Sequence, residues 1–279
     1  MHTPHTLSFE FFPTKTEQGR QKLAMVRQQL KQFNPVFFSC TYGAGGSTRE
    51  GTLQTIQDML NEGLNAAPHL ACIGASYDEV KQLLQRYYDM GVKRIVALRG
   101  DAPSGMGLIS EESFQYAEEL VRFIRQEFGQ HFYIEVAAYP EFHPQAKNAQ
   151  QDVLHFVQKC QAGADSAITQ FFYNTDAYFH FVDAVRAQGI QTPIVPGIMP
   201  IFDFAKLSRF TESCGAEIPR WLRLKLQSYG DDMASIKSFG LDVVTQLCDT
   251  LLSQGVPGLH FYTLNQAGAV STICERLGF

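Results

Sequence analysis

The chain has 279 residues, with 23 Lys and Arg against 28 Asp and Glu, so its formal net charge is −5. This length matches one α/β barrel, which typically takes ~250 residues, and the mild acidity without a basic stripe excludes a nucleic acid or an anionic membrane surface as partner. The six cysteines form no C-x-x-C pair, no apolar run is long enough to span a membrane, and the eight histidines lack H-E-x-x-H spacing. We therefore expect a cytoplasmic protein with reduced thiols and no metal site.

Short apolar, β-rich runs recur along the chain and predict eight strands, over residues 6–11, 36–41, 67–72, 94–98, 133–139, 166–172, 194–198 and 258–262. Segments of helical period lie between most of them, at 18–33, 48–61, 78–90, 113–128, 150–160 and 175–188, and a last helix is predicted over 266–277. The longer interval 203–255 is expected to hold two helices. Strands alternating with helices pair in parallel, and a count of eight favours a closed (β/α)8 TIM barrel, with residues 1–279 as one catalytic domain.

The first predicted strand carries an unusual carboxylate, Glu10, among aromatic residues. Strand alternation puts Glu10 on one face with Ser8 and Phe12, and Phe residues also occupy the other face, so the strand is predicted to be buried on both sides. Burial raises the pKa of a carboxyl towards neutrality, which suits a general acid. The alternative is an edge strand whose Glu10 faces water.

The turn after the second strand, residues 43–48, is rich in glycine but fits neither G-x-G-x-x-G nor a Walker loop. Ser47 and Glu50 fit a capping box, so a tight turn into a capped helix explains that segment. It does not explain Thr41 and Tyr42, whose hydroxyls are expected at the barrel mouth.

Two further clusters have both a structural and a functional interpretation. Asp101, after Arg99 at the end of the fourth strand, fits an Asx turn, or the pair faces a polar heterocycle. Asp152, His155 and Lys159 share one helix stripe, which is typical of solvated surface. Beside a cleft, the same stripe offers an acceptor for ribose hydroxyls and a cation for pyrophosphate.

Three polar residues fall inside predicted strands. Gln170 is predicted to point into the barrel mouth, where either a structural network or a ligand would satisfy its amide. His260, central in the last strand, is interpreted as a core histidine rather than a catalyst. Glu135 is left without a role.

Several motifs, in chain order from the first strand to the last, resemble the methylenetetrahydrofolate reductase family: Ser8–Pro13, Thr41–Gly46, Leu98–Asp101, Ala138–Glu141, Ala167–Phe172 and Phe261–Asn265. The resemblance covers essentially the whole chain. Its length is similar to that of the short bacterial form, which lacks the C-terminal regulatory domain of the eukaryotic enzyme, so feedback by adenosylmethionine is not expected.

The resemblance implies an FAD-dependent barrel that reduces methylenetetrahydrofolate to methyltetrahydrofolate with NADH or NADPH, by ping-pong kinetics, and that commonly forms homo-oligomers. Glu10 would protonate the folate and open its five-membered ring, and Asp101 would lie between pterin and flavin. The implied FAD contacts are Thr41, Tyr42, Ala44, His69, Arg99, Gly100, Asp101, Tyr116, Ala117, Tyr139, His143, Ala146, Asp152 and Lys159.

For the second ligand, the resemblance implies that Gln170 touches folate and that Phe210 stacks on whichever ligand is bound. The sequence departs from the family at Lys206 and Gln266, which replace a neutral amide and an arginine associated with the folate tail. Thr14 stands where a second proline is familiar. The competing hypotheses are another flavin barrel enzyme, similar to proline dehydrogenase, and a non-enzymatic folate- or flavin-binding paralogue.

Overall fold

A computed structural model describes residues 5–42, 49–100 and 113–279, apart from the side chain of Arg49. The strands in these ranges are β1 Thr6–Phe11, β2 Phe37–Cys40, β3 Ala66–Ala71, β4 Arg94–Leu98, β5 Tyr133–Ala138, β6 Ser166–Thr169, β7 Ile194–Val195, β8 Gly197–Ile198 and β9 Gly258–Tyr262. The helices there are α1 Glu17–Lys31, α2 Arg49–Asn61, α3 Tyr77–Asp89, α4 Ala117–Phe128, α5 Ala149–Gln161, α6 Thr175–Ala187, α7 Phe204–Cys214, α8 Arg220–Ser228, α9 Met233–Ser253 and α10 Gly268–Arg276.

The strands form one parallel sheet in the order β7-β6-β5-β4-β3-β2-β1-β9-β8. The sheet closes through the chain itself, because β7 pairs with β6 whereas β8, one residue further on, pairs with β9. Pro196 separates the two halves, since proline has no N–H for the ladder. The closed β/α barrel predicted from the sequence is confirmed, with its seventh strand divided at this proline.

Gly197 is required at the closure. A Cβ atom there would lie 2.1 Å from the carbonyl oxygen of Thr169 and 2.7 Å from the ring of Tyr262, so any side chain would force β6 and β9 apart. The Gly197 N–H also donates to Thr169 Oγ1 at 2.9 Å. Where the barrel closes, β8 and β6 are therefore joined by a hydrogen bond between Gly197 and Thr169 instead of by side-chain packing.

Two layers of packing follow from strand alternation. Leu7, Phe9 and Phe11 on β1 point outward into the large core between sheet and helices. Inside the barrel, Phe37, Ala67, Val96 and Ile168 form a second, smaller apolar cluster. The assignment of β1 as a strand buried on both faces is confirmed, and it leaves Glu10 on the inner face.

An ion pair closes the amino-terminal end of the barrel. Arg94, the first residue of β4, contacts the carboxylate of Glu135, whose side chain is 2% exposed. The Arg94 guanidinium lies 3.9 Å from the centroid of the Tyr133 ring and 4.6 Å from that of Phe37. Glu135, which had no role from the sequence, thus belongs to the floor of the barrel.

Two of the helix predictions are wrong, one in where a helix begins and one in the number of helices. The helix predicted over 113–128 begins only at Ala117, because the Glu119 carboxylate caps the N–H groups of Gln115 and Tyr116, while Ser113 forms a β-bridge with Ser76. The interval 203–255 holds three helices instead of two. Each of its breaks has a local cause.

Gly215 takes a left-handed conformation, with φ 75°, at the C-terminal cap of α7. At the start of α9, the Asp232 carboxylate caps the N–H groups of Ala234 and Ser235. All six cysteines are free. Among the helices of the described ranges, none has the length and apolar character needed to cross a membrane.

Candidate active site

A cavity of about 1370 Å³ opens where the strands end, at the carboxyl side of the barrel. This is the face on which α/β barrels carry their catalytic groups. Eight of the residues predicted for the site line the cavity: Glu10, Thr41, Tyr42, His69, Gly100, Tyr139, Gln170 and Phe210. The volume exceeds the 300–1,000 Å³ typical of a pocket for one small ligand.

The Glu10 carboxylate lies between two imidazoles from different strands. Its Oε2 atom is 3.3 Å from Nε2 of His69 on β3 and 3.5 Å from Nε2 of His260 on β9. The Glu10 side chain is 16% exposed, whereas His260 is fully buried. The three side chains form an acid–imidazole cluster at the bottom of the cavity.

The prediction that the pKa of Glu10 is raised is wrong. Burial of the carboxyl does act to raise its pKa, but attraction to His69 and His260 outweighs burial and lowers the pKa to about 2. Hydrogen bonding of the two imidazoles to the carboxylate acts in the same direction as this attraction. Glu10 is therefore an ionised carboxylate held by its histidine neighbours.

His260 is the contact that sequence reasoning missed. Its Nδ1 atom lies 2.7 Å from Oγ of Ser8, which pairs with it across the β1–β9 ladder. Its ring also stacks on Phe37 at a centroid distance of 5.9 Å. His260 is therefore both a core histidine and a contact of Glu10. The sequence signal for this contact was that Ser8, the partner of His260, lies on the same inward face of β1 as Glu10.

Buried donors near the cavity fit a polar ligand that accepts hydrogen bonds. Among the described residues, Thr41 Oγ1 and Arg99 Nε are buried without a hydrogen-bond partner. Gly100, with φ 81°, follows Arg99 and brings its backbone to the cavity wall, where a Cβ would lie 2.8 Å from that of Ala71. A ligand that presents hydrogen-bond acceptors matches these groups.

The predicted stripe on α5 divides between the interior and solvent. Asp152 is buried, and its carboxylate accepts from the His143 N–H at 3.1 Å. Lys159 donates to the carbonyl oxygen of Ala137 on β5, and burial lowers the pKa of its ammonium to about 8 although Asp152 opposes that change. His155 is exposed. Asp152 and Lys159 therefore face the protein interior, whereas His155 faces solvent.

Five other described residues that were predicted for the site lie outside the cavity lining. Tyr116, Ala117 and Ala146 belong to the loops and helix ends around the mouth, and the Tyr116 side chain is 52% exposed. Lys206, in the first turn of α7, has a largely exposed side chain with Nζ 3.6 Å from Asp203, and Gln266 is exposed. Asp101 and Ala44 lie outside the described residues.

Gln170, just after β6, and Phe210, on α7, both line the cavity. The Oε1 atom of Gln170 accepts from the Phe171 N–H at 3.0 Å, an arrangement that leaves its amide NH₂ to donate. The Phe210 ring, on α7, is 42% exposed although it lines the cavity. An exposed aromatic at a cavity rim offers a flat surface to a ligand ring.

The fold and the site define an α/β barrel enzyme with the acid–imidazole cluster at the bottom of a wide cavity. The family model described as "Methylenetetrahydrofolate reductase" matches residues 2–278. The chain belongs to the methylenetetrahydrofolate reductase family.

Curated relatives with that name support the assignment. A 5,10-methylenetetrahydrofolate reductase of Escherichia coli is 39% identical over 273 residues, which cover 98% of this chain and 90% of that protein. The relative from Buchnera aphidicola subsp. Schizaphis graminum is also 39% identical, covering 97% of this chain and 91% of its own. Methylenetetrahydrofolate reductase (NADH) 1 of Arabidopsis thaliana is 37% identical, with matches over 97% of this chain and 48% of that longer protein.

Solved structures share the fold at much lower identity. A protein from Clostridium thermocellum that binds two copies of 5-methyl-5,6,7,8-tetrahydrofolic acid superimposes with a TM-score of 0.71 at 16% identity, covering 98% of this chain and 94% of its own. A dihydropteroate synthase of Coxiella burnetii in complex with pteroic acid gives a TM-score of 0.55 at 7% identity, with coverage of 100% and 93%.

Proposed function

We propose that this chain reduces 5,10-methylenetetrahydrofolate to 5-methyltetrahydrofolate with NADH or NADPH as reductant and FAD as bound cofactor. The membership of the family and the names of the relatives support the reaction. The observation that carries the proposal is the Glu10 carboxylate, set between two imidazoles at the bottom of a large cavity. One acid under a wide binding surface suits a reaction that needs one proton and one hydride.

The residues around the mouth fit FAD. Thr41 and Arg99 offer buried donors to the flavin ring, and Lys159 with Asp152 offers a cation for the pyrophosphate and an acceptor for a ribose hydroxyl. An anion beside Lys159 would restore the charge that burial disfavours. When bound, FAD supplies the redox chemistry, taking hydride from the nicotinamide and passing it to the folate.

The proton is delivered through the acid–imidazole cluster of Glu10, His69 and His260. Because a carboxyl with a pKa of about 2 holds no proton of its own at neutral pH, the proton must reach Glu10 from a neighbouring group. We assign Glu10 as the group that passes this proton to N10 of the folate. The N10–methylene bond then breaks, and the methylene carbon, now an iminium at N5, accepts the hydride.

The same cavity serves both substrates in turn. Gln170 donates to the pterin, and Phe210 stacks on whichever ring is present. Because folate and nicotinamide would use one face of the cofactor, each must leave before the other enters, which is ping-pong kinetics.

Glu10→Gln tests the proposal. Reduction of the bound flavin by NADH needs no proton from Glu10 and is expected to proceed at the parent rate in anaerobic stopped flow. The folate-dependent half-reaction should fall by roughly a hundredfold or more, the scale of losing a general acid. The control is Glu127→Gln, which breaks only a surface ion pair with Lys81. Equal losses in both half-reactions of Glu10→Gln would remove Glu10 from the proton step.

A further inference from the structure

The pairing of β1 with β9 ends at Glu10 and Tyr262, and side chains continue it beyond that point. Thr263 donates twice to the carbonyl oxygen of Glu10, from its N–H at 3.3 Å and from Oγ1 at 2.7 Å. The Asn265 amide then pairs with the backbone of Phe12: Oδ1 accepts from the Phe12 N–H at 3.0 Å, and Nδ2 donates to the Phe12 carbonyl oxygen at 2.9 Å. The Asn265 side chain thus acts as one more peptide unit in the ladder.

This arrangement requires an unusual backbone. Leu264 and Asn265 both have positive φ, at 50° and 57°. Asparagine tolerates this left-handed region, whereas leucine rarely enters it. Two such residues in succession turn the chain away after β9 and bring the Asn265 amide back over β1. Strained backbone of this kind clusters at functional sites.

The two residues whose backbone is held are the ones that present side chains to the cavity. Glu10 carries the carboxylate 3.3 Å from His69, and Phe12 carries a ring that is 43% exposed and lines the cavity. Between them, Phe11 points outward and is fully buried. A shift of the end of β1 would therefore move Glu10 and Phe12 together relative to β3.

We propose that Asn265 is a positioning residue that fixes the end of β1, and with it the Glu10 carboxylate and the Phe12 ring, for proton delivery to the folate. The inference rests on the proposed function. Asparagine is needed because one side chain must supply a donor and an acceptor side by side to a peptide group. Aspartate has the same size and also tolerates positive φ, but it has acceptors only and would set a carboxylate oxygen against the Phe12 carbonyl.

The test compares Asn265→Asp with Asn65→Asp. Asn65 is a matched control, since its Nδ2 donates to the Val36 carbonyl oxygen at 3.1 Å, at the opposite end of the strands. For Asn265→Asp the folate half-reaction should fall by roughly tenfold to a hundredfold, the scale of a misplacement of about 1 Å. Flavin reduction by NADH should remain near the parent rate, and Asn65→Asp should leave both steps unchanged.

Two further variants separate positioning from folding. Asn265→Gly keeps the left-handed backbone without strain and removes the amide, so it should show the same selective loss, and urea unfolding should show that the variant is still fully folded under the assay conditions. In Glu10→Gln, adding Asn265→Asp should cause a smaller loss than it does in the parent, because the carboxylate that Asn265 positions is already absent.

The outcomes are distinguishable. If the parent protein has no folate half-reaction, or if Glu10→Gln leaves it unchanged, the proposed function fails and this inference with it. If Glu10→Gln is selective but Asn265→Asp behaves like Asn65→Asp, the inference alone is overturned. Additive losses in the double variant would likewise show that Asn265 does not act through Glu10.

Discussion

Replacing Arg94 by methionine should destabilise the barrel floor strongly. Methionine keeps an unbranched apolar stem in contact with Tyr133 and Phe37 but removes the charge that Glu135 faces. The Glu135 side chain is 2% exposed, so water cannot replace the guanidinium. Leaving one buried charge without its partner typically costs about 3–5 kcal/mol, and we expect a loss of that size in the free energy of unfolding at neutral pH.

The loss should depend on pH in a definite direction. Burial already raises the pKa of Glu135 above its ordinary value although Arg94 opposes it, and without Arg94 the pKa must rise further. A carboxyl with a raised pKa in the folded state contributes stability at low pH that is lost as the pH rises through that pKa. Arg94→Met should therefore be closer to the parent at pH 5 than at pH 8.

Urea unfolding followed by circular dichroism at both pH values measures these differences. Arg20→Met is the control: Arg20 bonds Asp58 at 3.1 Å but is 40% exposed, and the loss should be much smaller than that of Arg94→Met. The double variant Arg94→Met with Glu135→Leu should recover most of the stability, because no unpaired charge remains. A loss below about 1 kcal/mol for Arg94→Met, or one equal at both pH values, would refute the reasoning.

Two other predictions concern the loops around the mouth. Burial raises the pKa of Glu141 to about 7, although the Glu217 N–H donates to its carboxylate at 2.7 Å. As the pH rises from about 4.5 to 7, the parent should therefore lose about 1 kcal/mol of stability relative to Glu141→Gln, after solvent screening. Urea unfolding of both proteins across this pH range checks the prediction, and an equal pH dependence in the two proteins would contradict it. Lys206→Ala should raise the folate KM several-fold without changing flavin reduction by NADH, because an exposed ammonium contributes about 1 kcal/mol to binding a carboxylate of the folate tail. Steady-state kinetics of Lys206→Ala and Gln266→Ala, measured together, check this, and an unchanged folate KM for Lys206→Ala would show that Lys206 is an ordinary surface residue.

Strand period made much of the site predictable. Because side chains alternate, the sequence alone assigned Glu10 and Phe12 to one face and the outward Phe residues to the other, and both assignments are confirmed. The eight apolar runs likewise marked the barrel strands to within a few residues. Strand faces and strand positions depend on residues that are close together in the chain, so the pattern that determines them can be read directly from the sequence.

Contacts between distant strands were not predictable in the same way. Ser8 and His260 are 252 positions apart and meet only because the barrel closes β9 onto β1. The pKa of Glu10 was assigned the wrong direction for this reason: burial was visible in the sequence, whereas the two imidazoles that outweigh it arrive from β3 and β9. The Asn265 amide, paired with the Phe12 backbone, depends on the same closure.

The helix count in 203–255 was wrong for a different reason. Its signals were local: Gly215 ends α7, and Asp232 begins α9 by capping two N–H groups. Hydrophobic period alone does not show where one helix ends and the next begins, whereas these caps do. By contrast, the inward turn of Asp152 and Lys159 had no local signal, since an alternating charge stripe is typical of solvent-facing helix surface.

The most direct test of the central claim is the visible spectrum of the purified protein during an anaerobic titration. The account predicts a flavin absorbance band that NADH or NADPH bleaches and that 5,10-methylenetetrahydrofolate then restores, with 5-methyltetrahydrofolate as the product. A correctly folded protein that neither shows nor takes up a flavin band would contradict the account, as would a bleached flavin that 5,10-methylenetetrahydrofolate fails to reoxidise.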